Sequence, residues 1–229
     1  MPLFPKVISF DLDGTLIDLD FDLYLWFEEL PRIYSEQNSI PLEKAKEYLR
    51  LEYNRIGMQR REWYDLCFWI KHHKLGVDPE KVVSDLSHKI AVFPDVLPVL
   101  KVLKSEKRRM VVFSNTPKMF LDIKIKVDNL DGFFERAISV YSDYSKIKSY
   151  DGVFAQLACE LGVEPCEILH VGDSYKLDYL PAIKEGCAAL LLDRKLADSK
   201  YLADVPPLDK SIRRIASLYE IEKLLAGCD

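Results

Sequence analysis

Two aspartates separated by one residue, Asp11 and Asp13, come directly after an apolar run that ends at Phe10. In an extended chain, side chains two positions apart point to the same side, so both carboxylates could face one pocket. Carboxylates held together repel each other unless a cation or a proton lies between them. The alternative is a plain Asp-Gly turn with solvated carboxylates. We favour a functional pair.

Small polar residues also follow a second apolar run. Ser114 and Asn115 come after Val111-Val112-Phe113. A hydroxyl group and free backbone N–H groups at the end of a strand can hold phosphate oxygens. The alternative is that Ser114 or Thr116 caps the N-terminus of the next helix, and for this segment taken alone that is the better interpretation.

A third carboxylate, Asp173, follows the apolar run 168–171. Gly172 before it would let another part of the chain approach closely. Asp178 lies five residues further on, immediately before a predicted helix over residues 179–185. Asp178 could therefore be the N-cap of that helix, a role that is compatible with supporting a metal ion.

Lys148 lies shortly before a predicted helix that contains Phe154. A cation beside a helix N-terminus is unfavourable unless an anion is also present there, and a bound phosphate would supply that anion. The alternatives are a solvated surface lysine and the use of Lys146 in the same role.

Five apolar runs with few polar interruptions predict strands that are buried on both faces. Segments with helical periodicity lie between them, so the expected fold class is α/β with a doubly wound, parallel, Rossmann-like sheet. If the first three strands wind one way and the last two the other, Asp11, Ser114 and Asp173 lie at neighbouring strand ends around one crevice. The predicted strands are residues 6–10, 110–113, 137–141, 168–171 and 188–192.

Roughly a hundred residues separate the first two predicted strands, whereas a βαβ unit typically needs about 30. The excess contains four helix-like segments, near residues 21–36, 41–56, 60–74 and 78–92. We predict a four-helix cap domain over residues 19–92, inserted into a core of residues 1–18 and 93–229. The chain would cross between them near residues 18–21 and 93–94.

Asp11-Leu12-Asp13-Gly14-Thr15, Ser114, Lys148 and the segment Gly172–Asp178 resemble the four motifs of the haloacid dehalogenase-like (HAD) hydrolase superfamily. The predicted insertion looks like the cap of its phosphoglycolate phosphatase-like and nucleotidase-like members. The resemblance implies that Asp11 attacks phosphorus and forms an aspartyl-phosphate. It also implies that Asp13 protonates the leaving oxygen and later deprotonates the hydrolytic water.

The same resemblance implies a Mg²⁺ ion, bound by the Asp11 carboxylate, the Asp13 carbonyl group and Asp173, with Asp178 supporting them. Ser114, the Asn115 amide and Lys148 would stabilise the transferring phosphoryl group. The family lysine is usually followed by proline, whereas Ser149 follows Lys148 here. Counting back from Phe154 still selects Lys148 over Lys146.

The expected function is hydrolysis of a small phosphate monoester. A sugar-phosphate mutase would share the first chemical step, and a non-catalytic binding protein would be favoured by damaged motifs, yet all four look usable. A haloacid dehalogenase needs neither the second aspartate nor the metal, so Asp13, Asp173 and Asp178 argue against it.

Substrate choice would come from the predicted cap, where residues 60–69 are aromatic and basic. Arg60, Arg61 and Trp63 could stack on a base or bind an anionic group. The favoured interpretation is that Trp63, Phe68 and Trp69 pack cap helices together. The histidines are expected to be surface or packing residues rather than catalysts: His72, His73, His88 and His170.

The chain has 229 residues, a formal net charge of −5 and 48% hydrophobic residues. Its lysines and arginines form no tract and its apolar runs are short, so neither nucleic acid nor a membrane is expected as a partner. Five dispersed cysteines without a C-x-x-C pair predict reduced thiols and a cytoplasmic location. We expect a monomer or a homodimer.

Overall fold

The computed structural model describes residues 5–194, 209 and 211–226, which contain one parallel sheet of six strands. The strand order is β3-β2-β1-β4-β5-β6, so the chain winds in both directions from β1 and the predicted doubly wound α/β fold is confirmed. The strands are β1 (Val7–Phe10), β2 (Arg109–Ser114), β3 (Arg136–Ser139), β4 (Ile168–Gly172), β5 (Ala188–Leu192) and β6 (Arg214–Ile215).

Two details of the predicted sheet were wrong. The sheet has six strands rather than five, because a two-residue strand, β6, pairs with the end of β5. A strand this short produces no apolar run in the sequence. The predicted strand 137–141 ends at Ser139, whose hydroxyl group accepts a hydrogen bond of 3.0 Å from the Ser142 N–H and begins a short helix.

The middle of the sheet accounts for its apolar runs. All four residues of β1 are buried, and β1 lies between β2 and β4. Ile8 is level with Met110 on one side and with Leu169 on the other. Because β1 is central, the residues that follow it lie between the ends of two other strands.

Helices cover both faces of the sheet, as predicted for buried parallel strands. The helix Val96–Ser105 has the expected buried face of Val96, Val99, Leu100 and Leu103. The helix Val153–Leu161 is capped at its C-terminus by Gly162, which has a φ of 66°. The helices that follow the insertion are α6 (Val96–Ser105), α7 (Lys118–Lys124), α8 (Val140–Asp143), α9 (Val153–Leu161), α10 (Leu180–Lys184) and α11 (Tyr219–Ala226).

Residues 20–89 contain the helices between β1 and β2 and are called the helical insertion below. The first predicted helix is divided in the structure into three consecutive elements: α1 (Asp20–Tyr24), a π-helical turn (Leu25–Glu29) and α2 (Leu30–Asn38). Next come α3 (Leu42–Ile56), a 3-10 turn (Arg61–Tyr64), α4 (Leu66–His72), α5 (Pro79–Leu86) and a second 3-10 turn (Ser87–Lys89).

Two of the predicted helices in the insertion differ from the structure. The helix predicted over residues 60–74 is interrupted at Asp65, whose carboxylate caps α4 by accepting a hydrogen bond of 3.0 Å from the Phe68 N–H. The helix predicted over residues 78–92 ends earlier, because Val92 forms a β-bridge with Ile17. None of the helices in the described ranges is both long and apolar enough to cross a membrane.

The two chain segments that join the insertion to the sheet run side by side. The Asp18 N–H donates to the Ala91 carbonyl at 3.0 Å, and the Phe93 N–H donates to the Leu16 carbonyl at 3.1 Å. The insertion also shares the apolar core, since Phe21 lies 5.9 Å from Phe120 between ring centroids. The domain limits 1–18, 93–229 and 19–92 stay a prediction, and residues 1–4, 195–208, 210 and 227–229 lie outside the described part.

Candidate active site

Asp11 continues from the end of β1, where its N–H donates to the Val171 carbonyl of β4 at 2.9 Å. The chain then turns at Gly14, which has a φ of 77°. A Cβ atom on Gly14 would lie 2.3 Å from an oxygen of Asp173, so only glycine allows this approach. The Asp-Gly turn is therefore present, but the Asp11 carboxylate is buried rather than solvated.

Three carboxylates meet at the ends of β1 and β4. One carboxylate oxygen from each of Asp11, Asp173 and Asp178 lies within 4.8 Å of the other two. A Cβ atom on Gly172 would lie 2.3 Å from the Asp178 carboxyl carbon, which explains the glycine before Asp173. Burial, assisted by the neighbouring carboxylates, raises the pKa of Asp11 to about 7 and the pKa of Asp173 well above its usual range.

The interpretation of Asp178 as a helix N-cap was wrong. The helical segment begins earlier, with a π-helical turn at Tyr175–Tyr179, and the cap is Ser174, which accepts a hydrogen bond of 3.0 Å from the Leu177 N–H. Asp178 is buried within that turn and faces the other carboxylates. Its Oδ2 atom accepts a hydrogen bond of 2.9 Å from the Ser174 N–H.

Lys148 is the lysine that enters this cluster. Its Nζ atom lies 2.6 Å from Asp11 Oδ1 and also contacts Asp178 Oδ1, and its side chain is almost fully buried. Burial acts to lower the pKa of Lys148, but Asp11 and Asp178 outweigh it and the net pKa is raised. Lys146 is only partly buried. The surface interpretation of Lys148 is therefore wrong.

Ser114 and Asn115 lie opposite this cluster, at the end of β2. The Asn115 Oδ1 atom accepts a hydrogen bond of 2.8 Å from the Lys148 N–H, and Asn115 Nδ2 lies 3.4 Å from the Tyr64 hydroxyl. The predicted capping role of Ser114 or Thr116 was wrong, because α7 begins at Lys118 with Pro117 as its N-cap. Thr116 instead donates a hydrogen bond to Asp13 Oδ2.

Lys124 and Asp22 belong to none of the motifs predicted from the sequence. Lys124 is the last residue of α7 and is fully buried. Its Nζ atom lies 2.6 Å from Asp13 Oδ1 and 2.6 Å from Asp22 Oδ2. Burial and the nearby Asp13 raise the pKa of Asp22 to about 7. The available signal was the position of Lys124 on the buried face of α7, together with Phe120 and Leu121.

His170 also contacts the cluster. Its Nε2 atom lies 3.1 Å from Asp178 Oδ1 and its Nδ1 atom lies 3.0 Å from the Ser9 hydroxyl. Burial lowers the pKa of His170 although Asp178 opposes this effect. His170 is thus a buried residue that holds Asp178, consistent with the expected packing role.

Negative charge exceeds positive charge in this group of side chains. The group contains five carboxylates and two ammonium groups, which leaves three negative charges when all are ionised. Among the ion pairs described, the ammonium groups contact every carboxylate of the group except that of Asp173. Oxygen ligands on short, rigid side chains suit Mg²⁺, and a divalent cation would relieve most of this excess. The carboxylates are those of Asp11, Asp13, Asp22, Asp173 and Asp178, and the ammonium groups are those of Lys124 and Lys148.

A cavity of about 470 Å³ extends from these carboxylates to the helical insertion. Its insertion side is lined by aromatic side chains, among them Trp26, Phe27 and Trp63. Trp69, by contrast, is fully buried, so the predicted packing role is correct for this residue. Trp63 was predicted to pack in the same way but lines the cavity. Arg61 lies outside it, with its guanidinium group 4.6 Å from the Tyr141 ring centroid.

The model of the haloacid dehalogenase-like hydrolase family matches residues 5–186. A GMP/IMP nucleotidase of Escherichia coli is 25% identical over 73% of both chains. A phosphoglycolate phosphatase of Chromobacterium violaceum is 25% identical over 95% of this chain and 96% of that protein. The crystal structure of a HAD phosphatase from Thermococcus onnurineus superposes with a TM-score of 0.83, at 26% identity over 97% of this chain and 98% of that one.

The family match covers β1 to β4 of the sheet, the helical insertion and the strand ends that carry the acidic residues. The resemblance predicted from the four motifs is therefore confirmed, and the protein belongs to the haloacid dehalogenase-like hydrolase family.

Proposed function

We propose that this hydrolase is a Mg²⁺-dependent phosphatase that cleaves a small phosphate monoester through an aspartyl-phosphate on Asp11. The observation that carries the proposal is the group of Asp11, Asp173 and Asp178, with the buried Lys148 between Asp11 and Asp178. The names of the two curated relatives, a nucleotidase and a phosphoglycolate phosphatase, support the same reaction class.

In the proposed first step, a carboxylate oxygen of Asp11 attacks phosphorus and the bond from phosphorus to the leaving oxygen breaks. Asp13 donates a proton to that leaving oxygen. In the second step Asp13 removes a proton from water, the water oxygen attacks phosphorus, and inorganic phosphate leaves while the Asp11 carboxylate is restored. Lys148, the Ser114 hydroxyl and the Asn115 amide offset the charge of the phosphoryl oxygens.

The residues proposed to hold Mg²⁺ are the Asp11 carboxylate, the Asp13 carbonyl group and Asp173, with Asp178 supporting them. When bound, the ion would neutralise charge on the phosphoryl group. The closeness of Gly14 and Gly172 to Asp173 and Asp178 supports this set, because it fixes the two carboxylates against the backbone. A dehalogenase has no use for this collection of oxygen ligands, which makes it the weaker alternative.

We further propose that residues 19–92 are a cap domain that chooses the substrate. The aromatic lining around Trp26, Phe27 and Trp63 suits an uncharged planar leaving group, as in a nucleoside monophosphate. A substrate with an additional carboxylate, such as phosphoglycolate, would bring more negative charge to a group of side chains that already has an excess. This favours the nucleotidase-like activity over the phosphoglycolate phosphatase-like one.

The test is hydrolysis of GMP, 4-nitrophenyl phosphate and phosphoglycolate, each with Mg²⁺ and with EDTA. We expect release of inorganic phosphate only with the metal, and more rapid turnover of GMP than of phosphoglycolate. Acid quenching followed by mass spectrometry should detect a phosphoryl group on Asp11. Full activity in EDTA would contradict the metal assignment, and an isomerised phosphate ester in place of free phosphate would identify a mutase.

A cytoplasmic monomer or homodimer stays our expectation for this enzyme. The four cysteines within the described residues are free thiols, of which Cys67, Cys159 and Cys166 are exposed and Cys187 is buried. Free thiols are usual in a reducing compartment.

A further inference from the structure

Lys124 is a fully buried lysine outside the four family motifs. Its ammonium group bridges two carboxylates, because Nζ lies 2.6 Å from Asp13 Oδ1 and 2.6 Å from Asp22 Oδ2. Burying an ammonium group is costly unless it is paired and hydrogen-bonded, so both contacts are needed to hold it there. Asp13 follows β1, Asp22 lies in α1 of the helical insertion and Lys124 ends α7, so three separate segments meet in this contact.

Aromatic rings surround the ammonium group on its other sides. Nζ lies 4.9 Å from the ring centroid of Phe21 and 6.0 Å from that of Phe120. Both rings attract a cation through their faces and exclude water from it. Lys124 therefore has little freedom to move, which distinguishes it from a flexible surface lysine.

This contact also restrains the carboxylate of Asp13. Lys124 donates to its Oδ1 atom, and Thr116 donates to its Oδ2 atom. With a donor on each oxygen, the plane of the carboxylate is fixed, while each oxygen keeps a further lone pair for a substrate. A general acid is effective only when it lies within hydrogen-bond reach of the leaving oxygen, so its orientation matters for the rate.

We propose that Lys124 is a positioning residue that orients Asp13 toward the leaving oxygen, and that Asp22 of the helical insertion holds Lys124 in place. The inference rests on the proposed function, because the orientation of Asp13 matters only if Asp13 transfers a proton. A movement of the insertion away from the sheet would withdraw Asp22 from Lys124. The orientation of the Asp13 carboxyl group is thus linked to the position of the helical insertion over the cavity.

The experiment compares two substrates of similar size, benzyl phosphate and 4-nitrophenyl phosphate. Benzyl alcohol is a poor leaving group that needs a proton, whereas nitrophenolate leaves without one. General acid–base assistance typically contributes about 10²–10⁴-fold. Asp13 also acts in the second step, which is common to both substrates, so the quantity compared is kcat/KM, which reports only the steps up to departure of the alcohol. In Lys124→Met, which keeps the chain length but removes the charge, we expect kcat/KM for benzyl phosphate to fall by roughly 10–100-fold, a part of that assistance. The kcat/KM value for 4-nitrophenyl phosphate should change only a few-fold.

Lys118→Met is the matched control, since Lys118 begins the same helix, is exposed and pairs only with Asp122 among the ion pairs described. It should leave the ratio of the two kcat/KM values as in the wild type. Asp22→Asn keeps the contact between Lys124 and Asp13 but weakens the support from the insertion. It should lower the benzyl phosphate rate less than Lys124→Met does, while Asp20→Asn in the same helix should have no effect.

Lys124→Met leaves two carboxylates without their cation and could fail to fold. The double variant Lys124→Met with Asp22→Asn removes one of them and should fold, with the same selective loss on benzyl phosphate. An unchanged ratio of the two kcat/KM values in this double variant would overturn the inference while leaving the phosphatase intact. If the wild-type enzyme with Mg²⁺ hydrolyses neither ester, nor any other phosphate monoester, the proposed function fails and the inference fails with it.

Discussion

The Nζ atom of Lys148 lies 2.6 Å from Oδ1 of Asp11, and the same ammonium group contacts Asp178. Lys148 comes from the loop before α9, whereas the two aspartates follow β1 and β4. The contact therefore forms only after distant segments have folded together. It also places a positive charge beside the proposed nucleophile, where negative charge from the substrate must be accommodated.

Asp11→Asn should abolish turnover and leave the fold intact. The amide has almost the shape of the carboxylate but is a poor nucleophile, and loss of a covalent nucleophile typically costs at least about 10³-fold in kcat. The measurement is phosphate release from 4-nitrophenyl phosphate with Mg²⁺, together with a thermal unfolding curve. Asp151→Asn, at an exposed position, is the control, and a folded Asp11→Asn enzyme with near wild-type activity would exclude covalent catalysis at this residue.

The sequence predicted the residues at the strand ends because their signal is local. An apolar run followed by Asp11, Ser114 or Asp173 marks both the end of a strand and a polar side chain, and the doubly wound order brings these ends together. Lys124 and Asp22 carry no such signal. Their contact depends on how α1 packs against α7, which is a tertiary relationship between segments that are far apart in sequence.

The errors have similar causes. The N-cap alternative for Asp178 was wrong because the π-helical turn at Tyr175–Tyr179 has no recognisable start in the sequence other than Ser174. Trp63 was assigned to packing together with Trp69, because the sequence does not show that Asp65 ends one helical segment and begins another. The break at Asp65 places Trp63 at the cavity and Trp69 in the core.

Gly172→Ala should weaken Mg²⁺ binding. A Cβ atom there would lie 2.3 Å from the carboxyl carbon of Asp178, and that carboxyl group cannot easily yield because Lys148, His170 and the Ser174 N–H hold it. Loss of a residue that supports a metal ligand typically costs about 10–100-fold in metal affinity. We expect the half-saturating Mg²⁺ concentration for activity to rise by a similar factor.

Gly132→Ala is the matched control, since a Cβ atom on Gly132 would have no neighbour within 4 Å among the described residues. This variant should keep the wild-type Mg²⁺ dependence. Equal Mg²⁺ titrations of the two variants would mean that the position of Asp178 does not matter for the metal.

Trp63→Ala should reduce selectivity for substrates with an aromatic leaving group. Trp63 lines the cavity, and stacking of a base on an aromatic side chain is typically worth about 1–3 kcal/mol by alanine substitution. We therefore expect kcat/KM for GMP to fall by roughly 10-fold relative to glycerol phosphate, which lies within this range. Arg60→Ala should keep the ratio, because Arg60 is exposed and pairs with Glu62.

Trp69→Ala separates substrate binding from packing. Trp69 is fully buried, and truncation of a buried tryptophan typically costs about 3–5 kcal/mol of stability. This variant should unfold at a lower temperature with the same ratio of GMP to glycerol phosphate activity. If Trp63→Ala behaves in the same way as Trp69→Ala, then Trp63 serves only packing.

His73 should make the protein less stable as the pH falls. Burial, together with His72, lowers the pKa of His73 from 6.5 to about 4. Between these two values the unfolded chain binds a proton at this position and the folded protein does not. Since the free energy of unfolding rises with pH wherever the unfolded state binds more protons, the stability contributed here is present above pH 6.5 and is lost as the pH falls toward 4.

The test is the free energy of unfolding in urea at several pH values for the wild type, His73→Gln and His72→Gln. His73 is partly exposed, so solvent screening reduces its contribution to about 1 kcal/mol over this window. His73→Gln should remove that part of the pH dependence, while the carboxylates of the active site titrate alike in all three proteins and cancel in the comparison. His72→Gln is the matched control, because His72 is the more exposed neighbour and should keep most of the wild-type slope. Parallel plots of the free energy of unfolding against pH for the wild type and His73→Gln would mean that the His73 ring binds its proton equally well in the folded and unfolded states. The stacking of His73 on Trp69, at 5.7 Å between ring centroids, would then tolerate the positive charge.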